Sequence, residues 1–91
     1  MVTKRADGEM LSDLYNLIAS LETAQDCELL LSDLCTFKEI EQMAQRIKAA
    51  RLLMQGKTYN QVKECCDISS ATLSRVSRCV QYGKGYTKFC K

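Results

Sequence analysis

Two four-residue runs constrain this chain most, because each dictates where a helix must begin. In Thr36-Phe37-Lys38-Glu39 and in Thr58-Tyr59-Asn60-Gln61, the threonine hydroxyl can accept from an amide of the first helical turn, and the Glu39 or Gln61 side chain can reach back to the threonine amide. Behind Thr36, apolar residues recur at Phe37, Ile40, Met43, Ala44, Ile47, Ala50 and Met54, which predicts one face of a long helix ended by a left-handed Gly56. Upstream, Leu11, Leu14, Leu17, Ile18 and Leu21 follow the same spacing, and Thr23 can cap a further helix carrying Leu29, Leu30, Leu31 and Leu34. Downstream, Tyr59, Val62 and Cys66 form a short stripe, which Asp67-Ile68-Ser69 interrupts with turn-forming side chains. A last helix is expected from Ser69 or Ser70, with Leu73, Val76 and Val80 buried and Gly83 and Gly85 ending it. The chain contains no proline, and the fold class read from these patterns is all-α.

Charge divides the chain into unlike halves. Residues 1–45 hold nine acidic and three basic side chains, whereas residues 46–91 hold ten basic side chains against Glu64 and Asp67. A basic half of this kind points to an anionic partner, nucleic acid first. At 91 residues and 46% hydrophobic content the chain is one globular domain rather than a disordered one. Its domain reading is a dimerisation scaffold over 1–56, a helix-turn-helix over 57–83 and a basic tail over 84–91. No run approaches the about 18–20 apolar residues of a membrane helix. Residues 1–10 carry Lys4, Arg5, Asp7 and Glu9 with no apolar run behind them, so a cytoplasmic location without a signal peptide is expected.

Catalysis and metal binding find little support. There is no histidine, no glycine-rich phosphate loop and no cysteine with an evident base partner. The six cysteines form no CxxC pair, so no metal site and no cofactor is expected. Cys27, Cys35, Cys65 and Cys66 lie in or beside apolar runs and read as small packed hydrophobes; Cys90 reads as an exposed thiol.

Two short helices joined by a tight turn, the second rich in small polar and basic side chains, describe a helix-turn-helix over about residues 58–82. Val62, Cys66, Ile68, Leu73 and Val76 form its internal wedge, and Asp67 would take the left-handed turn position. Lys63, where many such motifs have a small residue, needs a more open packing of the two helices. The outer face offers Ser70, Thr72, Ser74, Arg75 and Arg78 as base-reading candidates. Lys57, Thr58, Lys63, Ser69, Ser77 and Gln81 are the candidates for contacts with the DNA backbone. The competing reading is a nucleoid-type binder without sequence preference, or a protein-interaction module.

The run DLCTFKEIEQMAQRIKAARLLMQGKTYNQVKECCDISSATLSRVSRCVQY, together with LYNLIASL upstream, resembles the Trp-repressor superfamily, and most closely its YerC/YecD family. The resemblance implies five or six helices, the N-terminal helices of two chains interlocked in a homodimer, and two reading heads on double-stranded DNA. It implies that Arg46 and Arg75 match the two arginines that flank the indole in the Trp repressor, with Cys79 where a ligand-contacting serine stands. These three define a candidate pocket for a small-molecule effector. Val76 stands where the tryptophan-responsive proteins keep a glycine, so tryptophan itself is not the expected effector.

Overall fold

The computed structural model describes residues 4–91, so the first three residues of the N-terminal segment lie outside the described residues. The chain forms two units, residues 1–35 and residues 36–91.

The first unit contains α1 (Gly8–Ala19) and α2 (Ala24–Leu34). Asp7 starts α1 by accepting the Met10 amide at 2.9 Å, four residues ahead of Leu11, the first position of the stripe. Ser20 closes it by donating its hydroxyl to the Leu17 carbonyl, so Leu21 falls in the connection rather than on the helix. Thr23 caps α2 as the sequence predicts, accepting the Asp26 amide at 3.0 Å, and Asp26 in turn accepts from Glu22 N. Neither helix has a buried residue.

The second unit contains α3 (Phe37–Met54), α4 (Tyr59–Cys65), α5 (Ser70–Tyr82) and α6 (Gly85–Phe89). α3 packs against α4, α5 and α6, and α5 also packs against α6. Both capping boxes are formed in full, with Thr36 N donating to Glu39 Oε1 at 2.8 Å and Thr58 N to Gln61 Oε1 at 2.9 Å. Gly56 ends α3 with φ +87°, and the Lys57 amide returns to the Leu52 carbonyl. The core consists of Ala49, Ala50, Val62, Cys66, Leu73 and Val76, flanked by Leu52, Leu53, Ile68, Val80 and Tyr86. At Ala49 and Ala50 the absence of long side chains lets the neighbouring helices lie close to α3.

Three expectations are corrected. Phe37 is not on a buried face of α3 but 74% exposed, and Ile47 is exposed as well, because the core-facing strip runs through the Ala49–Ala50 pair. The C-terminal segment is not a bare tail: Gly85–Phe89 is helical, Tyr86 packs on the core, and Arg51 Nε donates to the Cys90 carbonyl at 3.2 Å. Cys65 is exposed rather than packed, while Cys66 beside it is buried. Gly83 permits this ending of α5, since a β-carbon there would stand 2.6 Å from the Cys79 carbonyl oxygen. Among the described residues no helix is long and apolar enough to cross a membrane.

Leu73→Ala removes the largest fully enclosed side chain and is expected to cost about 2–5 kcal/mol, read as a lowered urea midpoint. Hydrogen bonds from the Thr36 amide and hydroxyl region hold the Glu39 carboxyl below its ordinary value of 4.5. A lowered native pKa means that this contribution to stability is complete above pH 4.5 and disappears as pH falls through the native value. Thr36 has φ −70°. Proline therefore fits there, and Thr36→Pro, which removes both donors, is expected to return the Glu39 titration to its ordinary range in an NMR titration.

Candidate nucleic-acid interface

The second unit carries eleven basic and four acidic residues, a net charge of +7. α4 ends because Cys66 adopts extended backbone (φ −130°, ψ 138°) while its amide still reaches the Val62 carbonyl at 2.9 Å. The predicted left-handed Asp67 is not observed: Gly56 is the positive-φ residue among those described, and extended Cys66 makes the change of direction. The Asp67 amide instead donates to Gln45 Oε1 on α3 at 3.2 Å. Ser69 then caps α5, accepting the Thr72 amide at 3.2 Å and donating its hydroxyl to Thr72 Oγ1 at 3.0 Å. Lys63 Nζ donates to Ser70 Oγ, so α4 and α5 are tied across the turn, and the lysine finds its room at the surface.

α5 is sharply two-sided. Leu73, Val76 and Ser77 are buried, and Val80 is half-buried. Ser70, Ser74, Arg75, Arg78 and Gln81 are exposed, as are Lys57, Thr58, Lys63 and Ser69 leading into the helix. Ser77 is therefore a correction: it does not stand on the outer face. Positions 73, 76, 77 and 80 follow the i, i+3, i+4, i+7 spacing of a buried stripe, so helical geometry outweighs the polarity of one hydroxyl. Thr72 is half-buried, and its hydroxyl is already engaged by Ser69.

A groove of about 280 Å³ lies between α3 and the turn, where Lys38, Gln42, Gln45 and Arg46 meet Asp67, Ile68, Ser69 and Thr72. Arg46 is thus brought together with Thr72. Arg75 and Cys79, one turn apart on α5, are not among the residues that line this groove. Sequence reasoning missed Gln45, because nothing in a glutamine on the side of a long helix announces that it will hold an amide 22 residues further on. Burial pushes the Cys66 thiol up, with Cys65 beside it adding to the rise and Lys48 opposing it.

A long capped helix that carries two shorter helices joined by a pinned turn, in an all-α chain, is the fold this protein shares with solved structures of the Trp-repressor class. The chain belongs to the Trp repressor family: residues 9–90 match the family model described as Trp repressor protein. It is 43% identical over 76 residues to the uncharacterised Bacillus subtilis protein YerC, covering 84% of this chain and 73% of that protein. Among solved structures, a candidate Trp repressor from Staphylococcus aureus superposes with a TM-score of 0.83 at 38% identity, covering 89% of this chain and 82% of that one. A TrpR-like protein from Eubacterium eligens gives the same TM-score at 33% identity, covering 88% and 84% respectively. The family is one of DNA-binding regulators rather than enzymes.

Alkylation of the native protein followed by mass spectrometry is expected to label Cys65 quickly and to leave Cys66 unlabelled until the protein unfolds. Equal labelling would show that the turn opens readily.

Proposed function

We propose that this protein is a sequence-specific transcriptional regulator that binds double-stranded DNA as a homodimer, with α4 and α5 as its helix-turn-helix and with no response to tryptophan. The observation that carries this reading is the two-sidedness of α5. Its apolar side is locked into the core by Leu73 and Val76, which leaves Ser70, Ser74, Arg75 and Arg78 exposed on a helix ready to enter a major groove. Arg75 and Arg78 are the long donors of that face and would bond guanine edges. Lys57, Thr58, Lys63, Ser69 and Gln81, all exposed, would meet phosphates and fix the register. Ser77, being buried, is withdrawn from that set.

The dimer reading rests on α1 and α2. Met10, Tyr15, Leu17, Ile18, Leu29 and Leu34 are all exposed there, and a second copy would cover them. Val76 supports independence from tryptophan: it is 2% exposed and belongs to the core, where the tryptophan-responsive proteins have a glycine. Any effector would be of different shape, and exposed Arg46, beside the groove along α3, would meet it. The protein would act in the cytoplasm, associated with the nucleoid when DNA-bound.

Selection from randomised duplexes by the purified, reduced protein at physiological salt tests the reading. A two-fold symmetric motif with half-sites about 10 bp apart is the expected result. Arg75→Ala and Arg78→Ala are each expected to lose about 1–3 kcal/mol at the base they read. Binding without a motif, lost evenly across sequences as salt rises, would identify a backbone binder instead. Sedimentation at micromolar concentration should give the mass of two chains, and a one-chain mass would rule the dimer out.

A further inference from the structure

Among the described residues, the turn before α5 has little main-chain support. None of the amides of Asp67, Ile68 and Ser69 donates to another described main-chain group; regular hydrogen bonding stops with Cys66 N to Val62 O and resumes with Leu73 N to Ser69 O. What holds these three residues is Ile68 against the core, the Ser69 cap and one amide bond that leaves the motif altogether: Asp67 N to Gln45 Oε1 on α3. Gln45 is half-buried beside the groove that Ser69 and Thr72 also line, so its side chain is held in place rather than free in solvent. The Lys63–Ser70 bond, by contrast, joins two exposed side chains within the motif and gives α5 no reference to the rest of the unit.

The lever is long. Arg78 lies about 12 Å along α5 from Ser70, so a tilt of about 10° at the turn would move it by about 2 Å. That displacement is enough to break a bidentate bond to a base edge and too small to break diffuse attraction to phosphates.

We infer that Gln45 is a positioning residue for α5, its side-chain carbonyl on the Asp67 amide setting the angle at which Arg75 and Arg78 are presented and thereby the protein's discrimination between DNA sites. This inference rests on α5 being the reading helix, as proposed above.

The test compares wild type with Gln45→Leu, which keeps bulk but loses the acceptor, and Gln45→Glu, which keeps an acceptor. Gln45→Ala is a second acceptor-free variant that makes the same comparison if the leucine variant fails to fold. Two readouts are taken: Asp67 amide exchange in the DNA-free protein, and the affinity ratio between the selected site and a scrambled duplex. In Gln45→Leu the Asp67 amide should exchange about five- to tenfold faster, the gain expected from losing one hydrogen bond. The site preference should fall by about tenfold while affinity for the scrambled duplex holds, a change in specificity from loss of base contacts alone. Gln45→Glu should restore both the exchange rate and the preference. Unchanged Asp67 exchange in Gln45→Leu, a preserved preference despite faster exchange, or a glutamate variant that behaves like the leucine one would each overturn the inference. A wild-type protein with no site preference would overturn the reading-helix assignment and this inference with it. Unchanged Asp67 exchange, by contrast, would remove the positioning role and leave the DNA-reading proposal standing.

Discussion

Close contact between helices at Ala49 and Ala50 is the constraint from which the second unit takes its form. Both alanines are fully enclosed, and α3 packs there with the elements that supply Val62, Leu73 and Val76. Longer side chains at these positions would hold the helices apart, and the two short helices have too little area of their own to stay folded without that contact. The polar geometry builds on it. Gln45 can reach Asp67, and Arg51 can reach the Cys90 carbonyl, because the packing has already brought the backbones within range.

The starts of α2, α3 and α4 were legible in the sequence to the residue and that of α5 to within one, whereas those of α1 and α6 were not. Thr23, Thr36 and Thr58 each cap where local chemistry says they must, and Ser69 settles the alternative between positions 69 and 70. Capping is a contest among a few adjacent groups, so a short window of sequence contains all the terms. What was not legible depends on partners distant along the chain. Phe37 fits the apolar period of α3, yet the period alone cannot tell which part of a wide stripe meets α5. Aspartate tolerates the left-handed conformation, but extended Cys66 turns the chain before Asp67 is reached.

The site itself divides the same way. Arg75, Arg78, Ser70 and Ser74 were readable as an outer face once Leu73 and Val76 had fixed the inner one. Ser77 stands one turn after Leu73, and that periodicity outweighs the polarity of its hydroxyl. Thr72 and Gln45 needed the tertiary structure, since each is defined by a bond whose other end the sequence does not mark. α6 was obscured by Gly83 and Gly85, which resemble a helix end followed by loose chain; Tyr86 against the core is what makes the segment fold.

The absence of any buried residue in α1 and α2 has a consequence for how the molecule holds together over time. Helices of 12 and 11 residues are at or below the length at which a helix is marginal in water. With their apolar sides uncovered they would fray on their own, while the α3–α6 unit keeps its enclosed core. Local opening is then graded along the chain, from residues 4–35 at the low end to Leu73 and its neighbours at the high end. A protease meeting the uncovered chain would therefore cut the acidic N-terminal helices first and leave the basic unit intact, which would separate whatever those helices assemble from whatever α5 touches.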